Sequence, residues 1–416
     1  MFLFREPVKI FDNYFLEFRG KNKMGNRTVI TGLSRTPMGG MQGGLSEVSA
    51  PDLGAAAIAS SLSRSGLSTN DIDEAIMGCV LPAGLGQAPA RQAAVKAGLP
   101  VSVPATTINK MCGSGMKAIM LAHDSIAAGS NNAVVAGGME SMSNAPHILP
   151  KSRVGMRLGH GNVMDHMFLD GLEDAYEKGR LMGSFAEECA KKYGFSRTEQ
   201  DEFAIESLKR AQKAIDTGAF KREIEPVTVK SRKGDHVMEM DEQPGNAQLD
   251  KIPHLRPAFA KDGTVTAANS SSISDGAAAV ILMSEHAASE KGIKPLAYLM
   301  AHSSHAQEPS WFTTAPVVAI KDVLDKVGWK KEEVGLFEVN EAFAVVTMAA
   351  MTELGLPHSK VNVRGGACAL GHPIGASGAR IVVTLIHAMQ DAGVKRGVAS
   401  LCIGGGEATA LAIELA

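Results

Sequence analysis

Met111-Cys-Gly-Ser-Gly-Met-Lys-Ala-Ile-Met-Leu-Ala-His-Asp-Ser-Ile-Ala-Ala128, followed after a short polar turn by Ala133-Val-Val-Ala-Gly-Gly138, decides how the chain is built. The first stretch is apolar at most positions and lacks proline, which predicts a largely buried helix over 111–128. The second is short, valine-rich and ends in glycine, which predicts a strand covered on both faces. The same pairing recurs further on. Gly371-His-Pro-Ile-Gly-Ala-Ser-Gly378 opens an apolar helix over 379–389, and Val398-Ala-Ser-Leu-Cys-Ile-Gly-Gly-Gly-Glu407 follows it. Both halves place a glycine-rich helix start beside a strand ending in Gly-Gly-x-Glu or Gly-Gly-Glu, so a site between two similar halves is expected.

Elsewhere in the chain, Thr28-Val-Ile-Thr31 and Ala75-Ile-Met-Gly-Cys-Val80 read as strands, and 52–65 and 88–97 as helices, the second closed by Gly98 and Pro100. Such alternation marks an α/β fold with buried strands. Charged and polar residues dominate from about 143 to 257, with amphipathic helices expected over 184–193 and 198–217. This region reads as an inserted loop or cap. Apolar texture returns at Thr264, where Ala267-Ala-Asn-Ser-Ser-Ser-Ile-Ser-Asp-Gly276 reads as a hydroxyl-rich turn capping a helix over 275–279. The expected division is an appendage over 1–23, a first half over 24–142 completed by about 264–293, a loop domain over 143–263, and a second half over 294–416.

Composition narrows the function. A chain of 416 residues exceeds the growth of one simple core. A net charge of −2 provides no basic field, so neither nucleic acid nor an anionic membrane is expected as a main partner. The 5 cysteines are scattered and include no C-x-x-C pair, which fits reduced thiols in a cytoplasmic protein and predicts no metal site. No apolar run reaches the roughly 20 residues of a membrane span. Residues 1–23, with Phe2, Phe4, Phe11, Phe15 and Phe18 among Glu6, Asp12 and Glu17, read as an appendage ahead of an alternative start at Met24. A targeting peptide fits less well, because such segments avoid acids.

Cys112 sits at a glycine-flanked helix start, where helix N–H groups are expected to lower a thiol pKa toward neutral. A buried packing cysteine is the plainer alternative. His372, at the equivalent start in the other half, is a natural base for a thiol, although a histidine before proline is often only a turn residue. Cys402 ends a buried strand and could exchange a proton with substrate carbon, with Gly404 offering a backbone N–H to an oxyanion. Asn340, in Asn340-Glu-Ala-Phe343, could hold a water or a carbonyl oxygen, or cap a helix. Neither a Walker P-loop nor a dinucleotide fingerprint is present.

Seven segments carry a resemblance: Arg35-Thr-Pro, Gly84-Leu-Gly-Gln with Pro89-Ala-Arg-Gln, Cys112-Gly-Ser-Gly-Met-Lys-Ala, Gly137-Gly-Met-Glu-Ser-Met-Ser, Asn340-Glu-Ala-Phe, Gly371-His-Pro-Ile-Gly-Ala-Ser-Gly and Cys402-Ile-Gly-Gly-Gly. Together they resemble the thiolase family over about 24–416. The resemblance implies two βαβαβαββ halves in a layered α/β/α/β/α core with an inserted loop domain. It implies that Cys112 is acylated with His372 activating it, and that Cys402 moves the proton on carbon. Asn340, through a water, and His372 would form one oxyanion hole, and the N–H groups of Cys112 and Gly404 the other. Ser271 in the turn begun by Ala267 would touch pantetheine, and Met182, Phe259 and Phe343 would line the acyl pocket.

Within the family the likeness is to biosynthetic acetyl-CoA acetyltransferases, which condense two acetyl-CoA into acetoacetyl-CoA and CoA and need no cofactor. The segment Ser143-Asn-Ala-Pro-His-Ile-Leu-Pro-Lys-Ser-Arg resembles the one that ties dimers into homotetramers there. Leu181, where that group often has histidine, and Arg364 and Cys368 depart from its pattern. The alternatives are a 3-ketoacyl-CoA thiolase of β-oxidation with broader chain length, a ketoacyl synthase, against which Cys402 argues, and a non-catalytic acyl-CoA binding protein.

Overall fold

The structure, a computed structural model, describes residues 27–231 and 234–416. The expectation for 1–23 therefore lies outside the described residues. Nine strands form the main sheet: β1 (Thr28–Arg35), β2 (Glu74–Gly78), β3 (Ala105–Ile108), β4 (Ala133–Ser141), β5 (Ser274–Ser284), β6 (Ala297–Ala306), β7 (Leu336–Val339), β8 (Arg396–Ile403) and β9 (Glu407–Leu415). The principal helices are α1 (Ala50–Ser65), α2 (Pro89–Lys96), α3 (Ser114–Ala127), α4 (Met182–Tyr193), α5 (Arg197–Asp216), α6 (Ala315–Val327), α7 (Ala344–Leu354) and α8 (Ile374–Ala392).

The strand order is β7-β8-β9-β6-β1-β5-β4-β2-β3, with the two-residue strand Gly39–Gly40 beside β5. This is one arrangement used twice. Numbered within its own half, each half runs 3-2-4-5-1; the third strand of the second half is reduced to a parallel bridge between Phe337 and Val361. The halves join where Thr28 to Ile30 of β1 pairs with Leu299 to Ala297 of β6.

Side-chain alternation along the strands builds the layers. Ala277, Ala279 and Ile281 of β5 face α1 and α2, whereas Ala278, Val280 and Leu282 face α3 and α8. In β9, Ala408, Ala410 and Ala412 face α6 and α7, while Leu411 and Ile413 join the same central cluster as Met116, Ile119, Ile381 and Leu385. The result is a helix–sheet–helix–sheet–helix stack with α3 and α8 in the middle. Each fully buried leucine or isoleucine in that layer contributes about 1.5–3 kcal/mol.

The helix expected over 275–279 is instead part of strand β5. All its residues are buried, flanked by β1 and β4 and covered on both faces, so no polar alternation marks it and its alanines mimic a helix. Helix α3 begins at Ser114, three residues after the expected start.

Glycines let the middle helices touch backbone to backbone. A methyl on Gly378 would stand 2.4 Å from Met116 N, one on Gly115 2.9 Å from Ala379 N, and one on Gly138 2.0 Å from Gly375 O. Gly138→Ala is therefore expected to cost about 1–3 kcal/mol, since neither backbone has room to retreat. Chemical denaturation of the variant checks this, and an unchanged midpoint would contradict the packing.

The inserted region is pinned to the first half by buried charge. Arg35 pairs with Glu223 at 2.7 Å and with Asp241 at 2.6 Å, all fully covered. Leu208 and Ala211 of α5 pack on Ala369 and Leu370, just before His372. This places the insert over the junction of the halves.

Candidate active site

The Cys112 turn is locked before any substrate arrives. Met111 holds a left-handed backbone, φ 47°, a conformation that favours glycine and persists here because its neighbours enforce it. Asn109 Oδ1 accepts from Met111 N at 2.9 Å, while Ser114 Oγ accepts from Lys110 N at 2.8 Å and donates to Met111 O at 2.6 Å. Lys110 also pairs with Glu407 of the other half.

The helix does not lower the Cys112 pKa as expected. Cys112 lies ahead of the N-cap Gly113, outside the first turn of α3. Enclosure by protein dominates and pushes the thiol up to about 11, although the N–H groups of Gly404 and of Cys112 itself point at the sulfur and favour thiolate. At rest Cys112 is therefore a thiol, and to act as a nucleophile it would need a base.

His372 is held in one tautomer. Its Nδ1 lies 2.6 Å from Ser377 Oγ, and Ser377 Oγ donates its one hydrogen to Pro373 O at 3.0 Å. The serine oxygen must then accept, so Nδ1 carries the imidazole proton and Nε2 keeps a lone pair. Nε2 is buried without a partner. Burial, then the charge of Arg380, lowers the His372 pKa to about 3, so the ring is neutral at pH 7. Ser272 O and Ser274 Oγ both accept from His372 N, fixing the turn from the hydroxyl-rich loop.

Cys402, at the end of β8, is 1% exposed. Burial, followed by the proximity of Cys112, pushes its thiol well above the ordinary range. Asn340 follows β7 and caps no helix, since α7 starts at Ala344 behind Phe343. Its Oδ1 accepts from Arg380 Nη2 at 3.4 Å, and Arg380 is itself held by Glu338 at 3.0 Å. That leaves Asn340 Nδ2 as a second buried polar atom without a partner. A buried donor of this kind marks a place for a water.

A pocket of about 380 Å³ brings together Cys112, His372, Cys402 and Gly404 with Met182, Phe259, Ala267, Ser271 and Phe343. Asn340 is buried behind the wall rather than on it. Phe259 and Phe343 meet edge to face at 6.0 Å, and Gly183 lets them do so, since a methyl there would lie 2.3 Å from the Phe259 ring. Ser271 N donates to Ala342 O at 3.0 Å, which stitches the loop to the Asn340 segment. Leu181, the departure from the biosynthetic pattern, also lines the pocket, whereas Cys368 lines a neighbouring cavity of about 360 Å³ that shares Ala267 and Ser272.

Several contributors escaped the sequence reading. Phe168, Leu172 and Phe312 complete the wall from distant segments with no local signal, and Ile273 and Ile374 from two of the segments quoted above, in which only their polar neighbours stand out. Ser377 and Arg380 did carry one. A serine and an arginine on the buried face of an otherwise apolar helix require partners. Away from the pocket, His123, Asp124 and His302 form the one metal-type cluster among the described residues, with His302 Nε2 bonded to Asp124 Oδ1 at 2.8 Å.

A half-buried thiol, a second and buried one, a neutral imidazole and inward-facing backbone N–H groups in an apolar pocket between twin halves define an acyl-transferring α/β enzyme. The chain belongs to the thiolase family. The family's N-terminal domain matches residues 28–286 and its C-terminal domain residues 293–415. The acetyl-CoA acetyltransferase of Chromobacterium violaceum is 51% identical over 387 residues, 92% of this chain and 98% of that one. The crystal structure of the Bacillus anthracis acetyl-CoA acetyltransferase superposes with a TM-score of 0.92 at 42% identity, over 94% of this chain and 99% of that one. A thiolase from Ascaris suum in complex with coenzyme A gives 0.88 at 43%, over 94% and 100%.

Proposed function

We propose that this enzyme is an acetyl-CoA C-acetyltransferase, condensing two acetyl-CoA to acetoacetyl-CoA and CoA, reversibly, through an acetyl group on Cys112. The carrying observation is the convergence of Cys112, His372, Cys402 and Gly404 on one pocket. The acetyltransferase names of relatives at about half identity support it. Coenzyme A thioesters are the substrates, and no cofactor enters.

In the first step His372 Nε2 takes the Cys112 proton as sulfur attacks the thioester carbon, and the oxyanion sits at the N–H groups of Cys112 and Gly404. The C–S bond to CoA breaks, and CoA sulfur leaves with the Cys402 proton. A Cys402 thiolate and a His372 imidazolium remain. The second acetyl-CoA places its carbonyl oxygen at His372 Nε2 and a water on Asn340 Nδ2. Cys402 removes its α-proton, the carbon attacks acetyl-Cys112, and Cys112 sulfur leaves and recovers its proton from His372. Both thiols and the imidazole end as they began.

The decisive assay is thiolysis of acetoacetyl-CoA by CoA, repeated over longer 3-ketoacyl chains. Highest activity on acetoacetyl-CoA is expected, because aromatic rings close the pocket. No turnover with any 3-ketoacyl-CoA would remove the enzyme reading, and preference for long chains the acetyl one.

The proposed assembly is a homotetramer of two dimers in the cytoplasm, built from the two halves and loop domain delimited above. No helix among the described residues is long and apolar enough to cross a membrane. Val154, Met156, Leu158 and Val163 support the assembly. They project from the loop domain, Leu158 at 99% exposure, more apolar surface than an uncovered loop carries. Leu158→Asp is expected to convert tetramer to dimer in light scattering while activity per subunit stays within about twofold. An unchanged tetramer would refute this role for the segment.

A further inference from the structure

The motif Gly137-Gly-Met-Glu140 leaves one residue that the chemistry above does not use. Glu140 is fully buried near the end of β4. Its Oε2 accepts from Val80 N at 2.9 Å and from Gly375 N at 2.9 Å, and its Oε1 from Leu81 N at 3.1 Å and the Cys79 thiol at 3.6 Å. Three backbone N–H groups on one buried carboxylate form a built site rather than an incidental contact.

Those N–H groups belong to two different halves. Gly375 is in the first turn of α8, directly after His372 and Pro373, so a carboxylate from the first half caps the helix that presents the second half's imidazole. Val80 and Leu81 lead the other way. Val80 O accepts from Asn109 Nδ2 at 3.4 Å, and Asn109 Oδ1 accepts from Met111 N beside Cys112. The fit leaves no slack, because a methyl on Gly375 would stand 2.5 Å from Glu140 Oε2.

We propose that Glu140 is a positioning residue that sets the registration of the Cys112 turn against the His372 turn, linking the two halves through one side chain. It lines no part of the pocket, and acts through the backbone it holds and through its charge, which pushes the Cys112 thiol up. Resting as it does on the thiolase reading, the inference adds what aligns nucleophile and base. Burial raises the Glu140 carboxyl to about 7, the cost of keeping an acid there in place of an apolar residue.

Glu140→Asp tests it, because aspartate keeps the charge but is too short to reach both turns. The expected result is a fall in kcat for acetoacetyl-CoA thiolysis of about tenfold or more with KM within about threefold, since Glu140 itself lines no part of the pocket and most of the wall comes from other segments. The rate of Cys112 alkylation by iodoacetamide at fixed pH is expected to fall alongside, because it too needs the imidazole facing the sulfur. A merely structural role would instead lower stability and leave kcat per alkylatable Cys112 unchanged. Should Glu140→Asp fail to fold, Glu140→Gln, of equal length but lacking the second acceptor, receives the same measurements. Values of kcat and alkylation rate within about twofold of the unaltered enzyme would overturn the proposal. If the unaltered enzyme turns over no thioester, the functional reading fails separately, and the alkylation rates alone then decide the role of Glu140.

Discussion

Cys402→Ala is expected to leave Cys112 able to accept an acetyl group while carbon–carbon bond formation falls by at least about 10³-fold. The separation follows from what each thiol touches. The hydrogen bonds that fix His372, from Nδ1 to Ser377 and from its backbone N–H to Ser272 and Ser274, do not involve Cys402, so thiol activation at Cys112 survives. CoA sulfur is stable enough as a thiolate to depart without the Cys402 proton, so acetylation slows without stopping. The α-proton of a thioester is far less acidic, and only a strong base in contact with it will serve. Burial gives the Cys402 sulfur that basicity, and alanine has none to offer. Intact mass after incubation with acetyl-CoA should show the adduct on the variant, while an assay for acetoacetyl-CoA should find almost no product. Absence of the adduct would mean that the two thiols do not divide the work.

The legible and illegible parts of the fold differ for a physical reason. The repeat of a glycine-opened apolar helix and a short buried strand, at 111–138 and again at 371–407, could be read because close approach of backbones leaves glycines at regular places. That alone implied twin halves. Strand β5 was hidden by the same architecture, because a strand covered on both faces loses its polar alternation and Asp-Gly-Ala-Ala-Ala looks like the start of a helix. In the site, Cys112, His372 and Cys402 stood out by residue type beside glycines. The electrostatics did not. A helix start near a cysteine suggested an acidic thiol, whereas enclosure by the insert and the opposite half outweighs two N–H groups. Such enclosure is a property of the assembled halves and has no local signature. Phe312, reaching the pocket from a segment unrelated to any motif, was invisible for the same reason.

His372→Ala is expected to slow acetylation of Cys112 by about 10³- to 10⁴-fold at pH 7 and to change the shape of its pH profile. With its thiol held at about 11, Cys112 is ionised to roughly one part in 10⁴ at pH 7, and each unit of alkali multiplies that fraction by ten until pH approaches 11. On the proposed mechanism the unaltered enzyme does not wait for ionisation. Its imidazole is neutral at every pH well above 3, so thiol and base are both in their working forms from about pH 5 to 9, and the acetylation rate should be flat across that range. Without the imidazole only pre-formed thiolate reacts, and the logarithm of the rate should climb with pH at a slope near one. The variant is therefore most impaired in acid and recovers toward the unaltered enzyme in alkali. Rapid-quench measurement of the acetyl adduct between about pH 6 and 10 checks this, and parallel profiles for the two proteins would remove His372 as the base. Ser377→Ala provides the graded case. The imidazole remains, but the acceptor that holds the proton on Nδ1 is gone, so part of the population presents a protonated Nε2 to the sulfur. A smaller loss with an unchanged, flat profile is expected, because the base is then misassigned in a fraction of molecules rather than absent from all of them.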